Sequence, residues 1–190
     1  GLNMRVLLVR HGSGAVWVWL GSRNRREAAE VQAALQASEL TGGPIALGEP
    51  GRGLSGWRIS HQEARASLRV ALGDDTPVVR YAEVAVVASI LKDEILVDSL
   101  HRLFLFPLAK GRDGGEALRA TLRAYLAADR NVSSAAAALG VSRTTVTNRL
   151  RTIEELLDRS LSSCGLELEV ALRLDQLLTR EDEVTGYSPV

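Results

Sequence analysis

The pattern of hydrophobic and polar positions changes character near residue 83. Before it, short apolar runs alternate with glycine-rich breaks, as in strands and turns, and two segments have the three-and-four spacing of amphipathic helices. The predicted elements are strands at 5–9 and 15–20, a helix at 25–40, a strand at 45–47, a helix at 60–72 and a strand at 78–81. Ser60 and Glu63 have the spacing of a capping box, which predicts that the second helix begins at Ser60. The order ββαβαβ indicates an α+β module.

After residue 83 the pattern is helical only, starting with a helix at 84–99. Glycine and charged residues at 111–115 interrupt it, as they do between domains. The pattern therefore predicts four parts: an α+β module at 1–82, a helical linker and dimerisation region at 83–115, a helix-turn-helix domain at 116–178 and a flexible tail at 179–190. The predicted fold class is α+β, with a partial ferredoxin-like module followed by an all-α domain.

Within 116–178 the pattern is typical of two helices that meet at a sharp turn. Ser133 is the predicted N-cap of a short, alanine-rich helix, and Gly140 follows where the chain must bend. Ser142 is then the predicted N-cap of the next helix, which runs over 142–157. Its apolar residues, at spacings of four, three and four, are Val146, Leu150, Ile153 and Leu157. This stripe predicts the buried side of the helix.

The opposite side of helix 142–157 is polar. At about 100° per residue, Thr144, Asn148 and Arg151 lie across from the stripe, Thr147 lies on one shoulder, and Arg143 and Arg149 lie on the flanks. Segment 133–152 holds three arginines and no acidic residue. Such a helix suits the DNA major groove, with arginines beside the phosphates. The candidate DNA-binding residues are Ser133, Ser142, Arg143, Thr144, Thr145, Thr147, Asn148, Arg149 and Arg151. The pattern alone also fits a helical hairpin with a solvated arginine face.

Composition limits the other classes of function. The chain has 190 residues, 23 basic and 23 acidic, so no overall positive charge indicates a nucleic-acid partner. One cysteine, Cys164, and three scattered histidines lack the spacing of a metal site, and we predict no metal or other cofactor. No apolar run approaches the roughly 20 residues of a membrane span. We expect no membrane partner and a cytoplasmic location.

Residues 121–161 resemble the C-terminal helix-turn-helix of the PucR/CdaR family of bacterial transcription regulators, which is similar to that of Fis. The resemblance rests on TLRAYL at 121–126, NVS at 131–133, the arginine, threonine and valine of RTTV at 143–146, and IEEL at 153–156, and it continues through 166–178. It implies a DNA-binding regulator. Family members commonly have an arginine and an aromatic residue where this chain has Thr147 and Asn148, so base preference cannot be transferred.

Residues 1–82 resemble the degenerate GGDEF-like domain that often precedes this helix-turn-helix. The resemblance rests on the element order, on GEPGRGLSGW at 48–57, on SHQEARASLRVAL at 60–72 and on VVRYAEV at 78–84. GGDEF domains that make cyclic dinucleotides hold acidic metal ligands in the first hairpin. Residues 11–14 of this chain are His-Gly-Ser-Gly, without a carboxylate, so the resemblance implies a non-catalytic domain. It also implies that the chain begins inside that domain.

The sequence therefore predicts a regulator that binds double-stranded DNA as a homodimer, because half-sites for such helices usually come in pairs. The alternative is a non-catalytic module that senses a ligand or nucleotide, or only assembles subunits. A small-molecule effector is compatible with either. Gly51, Gly53 and Gly56 match a dinucleotide-binding pattern, for which a glycine-tolerant loop is the simpler interpretation. An enzyme is the least favoured class, since Ser13 lacks a nucleophile elbow.

Overall fold

The computed structural model describes residues 4–12, 15–24, 26–38 and 43–185, and of residues 112, 114 and 181–185 it describes the backbone alone. Contacts between residues divide the chain into two compact units, Gly1–Ala85 and Val86–Val190. The first unit combines strands and helices, and the second is helical. This confirms the predicted fold class, a mixed α+β region followed by an all-helical one.

The first unit contains two pairs of strands. Its elements are β1 (Arg5–His11), β2 (Ala15–Gly21), α1 (Ala28–Gln36), β3 (Ile45–Leu47), α2 (Gly53–Leu72) and β4 (Val78–Arg80). Strands β1 and β2 form an antiparallel hairpin, in which Arg5 lies opposite Gly21 and His11 opposite Ala15. Strands β3 and β4 are parallel, and α2 provides the crossover that parallel strands require. The predicted order ββαβαβ is confirmed, although Ser13 and Gly14 of the hairpin loop lie outside the described residues.

Helix α2 begins seven residues before the predicted start. Its N-cap is Arg52, so Ser60 and Glu63 lie inside the helix and the predicted capping box is wrong. The Glu63 carboxylate instead accepts a hydrogen bond of 2.8 Å from the backbone N–H of Glu49, in the loop that follows β3. A contact distant in sequence therefore replaces the local one that the spacing suggested.

Close packing between the loop that follows β3 and the start of α2 explains why Gly51 and Gly56 are glycines. A Cβ atom at Gly51 would lie 2.4 Å from the Cα of Gly56, and one at Gly56 would lie 2.5 Å from the carbonyl carbon of Gly51. Real Cβ atoms do not approach so closely, so the loop can cross the first turn of α2 only where both residues lack a side chain. Of the three glycines in the dinucleotide-binding pattern, this close approach explains Gly51 and Gly56, and no nucleotide is needed to explain them.

Aromatic side chains connect the hairpin to α2. Trp19 of β2 stacks on Trp57 of α2, with ring centroids 5.1 Å apart, and Trp17 meets His61 edge-on at 4.7 Å. Trp57 is 42% exposed, so these rings form the rim of the unit's core. The interior proper lies beside α2 and β4, where Val70 and Val78 are almost completely buried.

Nine helices or helical turns follow β4 in the part of the chain that the structure describes. They are α3 (Tyr81–Ile90), α4 (Glu94–Leu100), a π-helical turn (His101–Leu105), 3₁₀ turns (Phe106–Lys110 and Arg112–Gly115), α5 (Glu116–Ala127), α6 (Val132–Leu139), α7 (Arg143–Leu157) and α8 (Gly165–Thr185), the last two separated by a loop. The single helix predicted at 84–99 is two helices, because Asp93 caps α4 by accepting from the N–H of Leu96. Helix α8 extends to Thr185, into the segment 179–190 that the sequence predicts as a flexible tail.

One hydrophobic core joins the helices of the second unit. Leu122 of α5, Ala135 of α6, Ile153 of α7 and Leu168 of α8 meet in it, each with no exposed surface. Leu108, from the segment predicted as a linker, is buried in the same core. Helices α5 to α8 therefore pack around one interior that fixes the position of α7. None of the helices in the described ranges is long and apolar enough to cross a membrane.

Candidate nucleic-acid interface

Helix α6 begins two residues earlier than predicted. Its N-cap is Asn131, whose side-chain oxygen accepts from the N–H groups of Ser133 and Ser134 at 2.9 and 3.1 Å. The prediction of Ser133 as the cap is therefore wrong, and Ser133 is an exposed residue of the first turn. Asn and Ser are about equally good caps, so composition could not choose between these positions. The cap satisfies two N–H groups that would otherwise lack partners.

Gly140 makes the turn between α6 and α7. Its backbone is left-handed, with φ 64° and ψ 30°. The N–H of Gly140 donates to the carbonyl of Ala137, and the N–H of Val141 donates to that of Ala136, at 3.3 and 3.1 Å. These two bonds define a Schellman motif, which ends a helix and reverses the chain within two residues. Val141 is then partly buried against the core.

Helix α7 has the cap and the buried stripe that the sequence predicts. Ser142 Oγ accepts from the N–H of Thr145 at 3.0 Å and lies 2.8 Å from its hydroxyl oxygen. The cap thereby engages the side chains of Ser142 and Thr145 with each other. The four stripe residues are at most 9% exposed, namely Val146, Leu150, Ile153 and Leu157. Burial of this stripe fixes which side of α7 faces outward.

The outward side of α7 is polar and accessible. Its exposed residues near the helix start are Arg143, Thr144, Thr147, Asn148 and Arg151. They supply hydroxyl groups, one amide and two guanidinium groups, the kinds of donor and acceptor that read base edges and phosphates. Arg151 lies 3.6 Å from the carboxylate of Glu155, but both side chains are mostly exposed, so the pair is weak and screened by salt.

Arg149 occupies a different environment from the other candidates. It is partly buried, and its Nη1 donates to the hydroxyl oxygen of Thr121 on α5 at 3.1 Å. The sequence places Arg149 on a flank of α7, and the structure agrees. The sequence pattern did not indicate the hydrogen bond between Arg149 and Thr121, because the two residues are 28 positions apart.

Acidic groups lie toward the other end of α7. Glu154 accepts from the N–H of Leu161 at 2.9 Å and so stabilises the loop before α8. Glu155 faces Arg151, as described above. The first three turns of the helix therefore carry only positive and neutral side chains. A phosphate would be attracted to this end of α7 and repelled from the other.

Comparison with protein families finds one match in each unit. The model of the PucR C-terminal helix-turn-helix domain matches residues 118–174, which span most of α5, all of α6 and α7, and half of α8. These residues of the chain are similar to the PucR helix-turn-helix domain. A GGDEF-like domain matches residues 2–70. The PucR helix-turn-helix implies a DNA-binding transcription regulator, and it confirms the resemblance found in residues 121–161.

A solved structure also aligns with most of the chain. It is the crystal structure of a regulator of polyketide synthase expression from Bifidobacterium adolescentis, 19% identical, with a TM-score of 0.40. The alignment covers 93% of this chain and 71% of that one. No curated protein matches the chain.

Proposed function

We propose that this protein is a sequence-specific transcription regulator that reads the DNA major groove with α7. The observation that carries the proposal is the two-sided character of this helix. Its aliphatic stripe is buried, while Thr144, Thr147 and Asn148 are exposed together near its start. The major groove admits one helix, and the residues at its N-terminal end meet the base edges.

The exposed residues divide into two roles. Asn148 and Thr144, opposite the stripe, are proposed to contact bases, since an amide can form two hydrogen bonds with adenine. Arg143 and Arg149 on the flanks are proposed to contact phosphates, with Arg151 near the groove floor. Ser133, Ser142, Thr145 and Thr147 are proposed to contribute hydroxyl groups at the edges of the same surface. Phosphate contacts position the helix, and base contacts specify the sequence.

We propose a regulatory rather than catalytic role for the GGDEF-like domain. The support comes from the sequence of its first hairpin, where residues 11–14, His-Gly-Ser-Gly, include no carboxylate. A metal-dependent phosphoryl transfer would need acidic ligands there. The domain remains a candidate for binding a small-molecule effector. Since the target is chromosomal DNA, we place the protein in the cytoplasm.

We further propose that the protein acts as a homodimer. Helices that read one half-site usually bind in symmetric pairs, about one DNA turn apart. Large apolar side chains are exposed in segment 86–106, within the predicted dimerisation region: Val86, Ile95, Leu96, Leu103 and Phe106. A second copy of the chain would bury them. The last helix is the other proposed interface.

Titration on duplex DNA tests the proposal. The protein is first used to select duplexes from a random pool, and the best one is titrated between low and physiological salt. The affinity should fall steeply as salt rises, because phosphate contacts release counterions. No salt-dependent affinity for any duplex would contradict the proposal, and tight binding of a nucleotide instead would favour the ligand-sensing alternative.

Two variants test the roles of individual residues. Asn148→Ala should change the preferred base at one position, with a discrimination of about 1 to 3 kcal/mol lost there. Arg143→Ala is the control, since it should weaken binding to all duplexes about equally. Equal losses on every duplex for both variants would argue against reading of bases by Asn148.

A further inference from the structure

The hydroxyl group of Thr121 lies in the contact between α5 and α7. Thr121 has no exposed surface. Its hydroxyl donates to the carbonyl oxygen of Ala117 at 2.7 Å and accepts from Nη1 of Arg149 at 3.1 Å. One buried side chain on the first helix of the domain thus holds the guanidinium of a residue on the third.

The bond to Ala117 determines which way the Thr121 hydroxyl faces. A hydroxyl has one proton and two lone pairs, and the proton is engaged with the carbonyl of the preceding helical turn. A lone pair is therefore left to accept from Arg149. Because the threonine is buried and its rotamer is fixed by this bond, the acceptor cannot swing away. Arg149 is held at a definite place beside α7.

The guanidinium of Arg149 lacks a counter-charge among the residues that the structure describes. Arg123 pairs with Asp175, and Arg80 pairs with Glu49, each at 3.2 Å. No carboxylate of the described residues lies within ion-pair distance of Arg149, whose one hydrogen-bond partner there is the neutral Thr121. Arg149 is partly exposed, and the other N–H groups of its guanidinium form no hydrogen bond with the described residues. A partly desolvated cation with free donors is suited to an external anion.

We propose that Thr121 is a positioning residue for DNA binding, which holds Arg149 so that its free N–H groups meet a phosphate beside the recognition helix. This inference rests on the proposed function and adds α5 to the machinery. Thr121 itself touches no DNA in this scheme. The neutral hydroxyl orients the arginine while leaving its charge for the phosphate, which a carboxylate at the same place would neutralise.

Two substitutions of Thr121 separate the hydroxyl from the rest of the side chain. Thr121→Val keeps the buried shape and removes the acceptor, whereas Thr121→Ser keeps the acceptor and removes one methyl group. Thr121→Val should weaken duplex binding about two- to tenfold, the range for the net contribution of one intramolecular hydrogen bond. It should also lower the slope of log affinity against log salt by up to about 0.9, one phosphate contact. Thr121→Ser should retain wild-type affinity and slope.

A double-mutant cycle tests whether Thr121 acts through Arg149. In an Arg149→Ala background, Thr121→Val should have no further effect on affinity or salt slope. Additive losses would overturn the inference, and so would equal affinities for the valine and serine variants. Unfolding by urea, measured for each variant, identifies losses that come from stability alone. Thr121→Ala repeats the test if the valine variant folds poorly.

The failure of this inference and that of the proposed function are distinguishable. A wild-type protein without salt-dependent duplex binding would overturn the proposed function and the inference together. A wild-type protein that binds duplex, and whose affinity does not respond to Thr121→Val, would overturn the inference alone.

Discussion

At the scale of single residues, backbone conformation decides the turn between α6 and α7. Gly140 is left-handed, and a Cβ atom there would meet nothing within 4 Å. Any penalty for a side chain at this position therefore comes from the backbone and not from a clash. Left-handed conformations cost most residues with a Cβ atom roughly 1 to 2 kcal/mol, and asparagine less than most.

Gly140→Ala should accordingly lower the free energy of unfolding of the helical unit by about 1 kcal/mol. Gly140→Asn is the matched control and should cost less, since its amide can bond locally in this conformation. Urea denaturation of both variants checks the order. Equal losses of unfolding free energy in Gly140→Ala and Gly140→Asn would show that the left-handed backbone is not the cause of the destabilisation.

Cys164 illustrates a residue whose surroundings suppress its chemistry. The thiol is 3% exposed and donates to the carbonyl of Ser160 at 3.3 Å. Burial raises the pKa of Cys164, the charge of Glu167 raises it further, and Arg159 opposes them. The thiolate, which is the reactive form, is therefore disfavoured in the folded protein.

We expect an aromatic disulfide reagent to react slowly with Cys164 near neutral pH and rapidly once urea unfolds the unit. Because the folded pKa is the higher one, the thiol's contribution to stability is complete below the unfolded pKa and is lost as pH rises through the folded pKa. The alkaline fall in stability should become shallower in Cys164→Ala. Fast labelling of the native protein would contradict the buried thiol.

At the scale of elements, capping decides where α6 begins. Asn131→Ala removes the acceptor of two N–H groups and should cost about 1 kcal/mol of unfolding free energy. Ser133→Ala is the control, since Ser133 is exposed and does not cap the helix; its cost should stay within about 0.5 kcal/mol. A larger loss of unfolding free energy for Ser133→Ala than for Asn131→Ala would indicate that Ser133 is the cap.

Helices α7 and α2 differ in how well the sequence predicts where they begin. The cap Ser142 and the stripe of α7 follow from spacing within one helix, and both are confirmed. The start of α2 does not follow in this way, because Glu63 bonds to Glu49 rather than to the turn at Ser60. Local signals succeed where the partners are local, and they fail where a distant backbone group competes for the same side chain.

At the scale of the whole molecule, the proposed homodimer would bury the exposed apolar side chains of segment 86–106. Ile95 on α4 is 80% exposed and lies in the segment proposed as the interface. Ile95→Arg should shift the sedimentation of the protein towards the monomer and weaken binding to paired half-sites. The thermal midpoint of unfolding at low protein concentration should change little, because this side chain is not in a core.

Ser162→Arg serves as the control for the interface variant, since it adds the same charge at an exposed loop outside segment 86–106. It should leave sedimentation unchanged. A dimer that persists in Ile95→Arg, or a wild-type protein that is already monomeric on its DNA, would argue against this interface.

The sequence by itself determined the α+β fold class and the side of α7 that faces outward. Periods of 2 and 3.6 residues report which positions are buried within one element, so strands, helices and the stripe from Val146 to Leu157 are encoded locally. Only the tertiary structure decided which distant groups meet: Thr121 with Arg149, and Glu63 with Glu49. Such pairs depend on how elements pack, and no spacing along the chain records that arrangement.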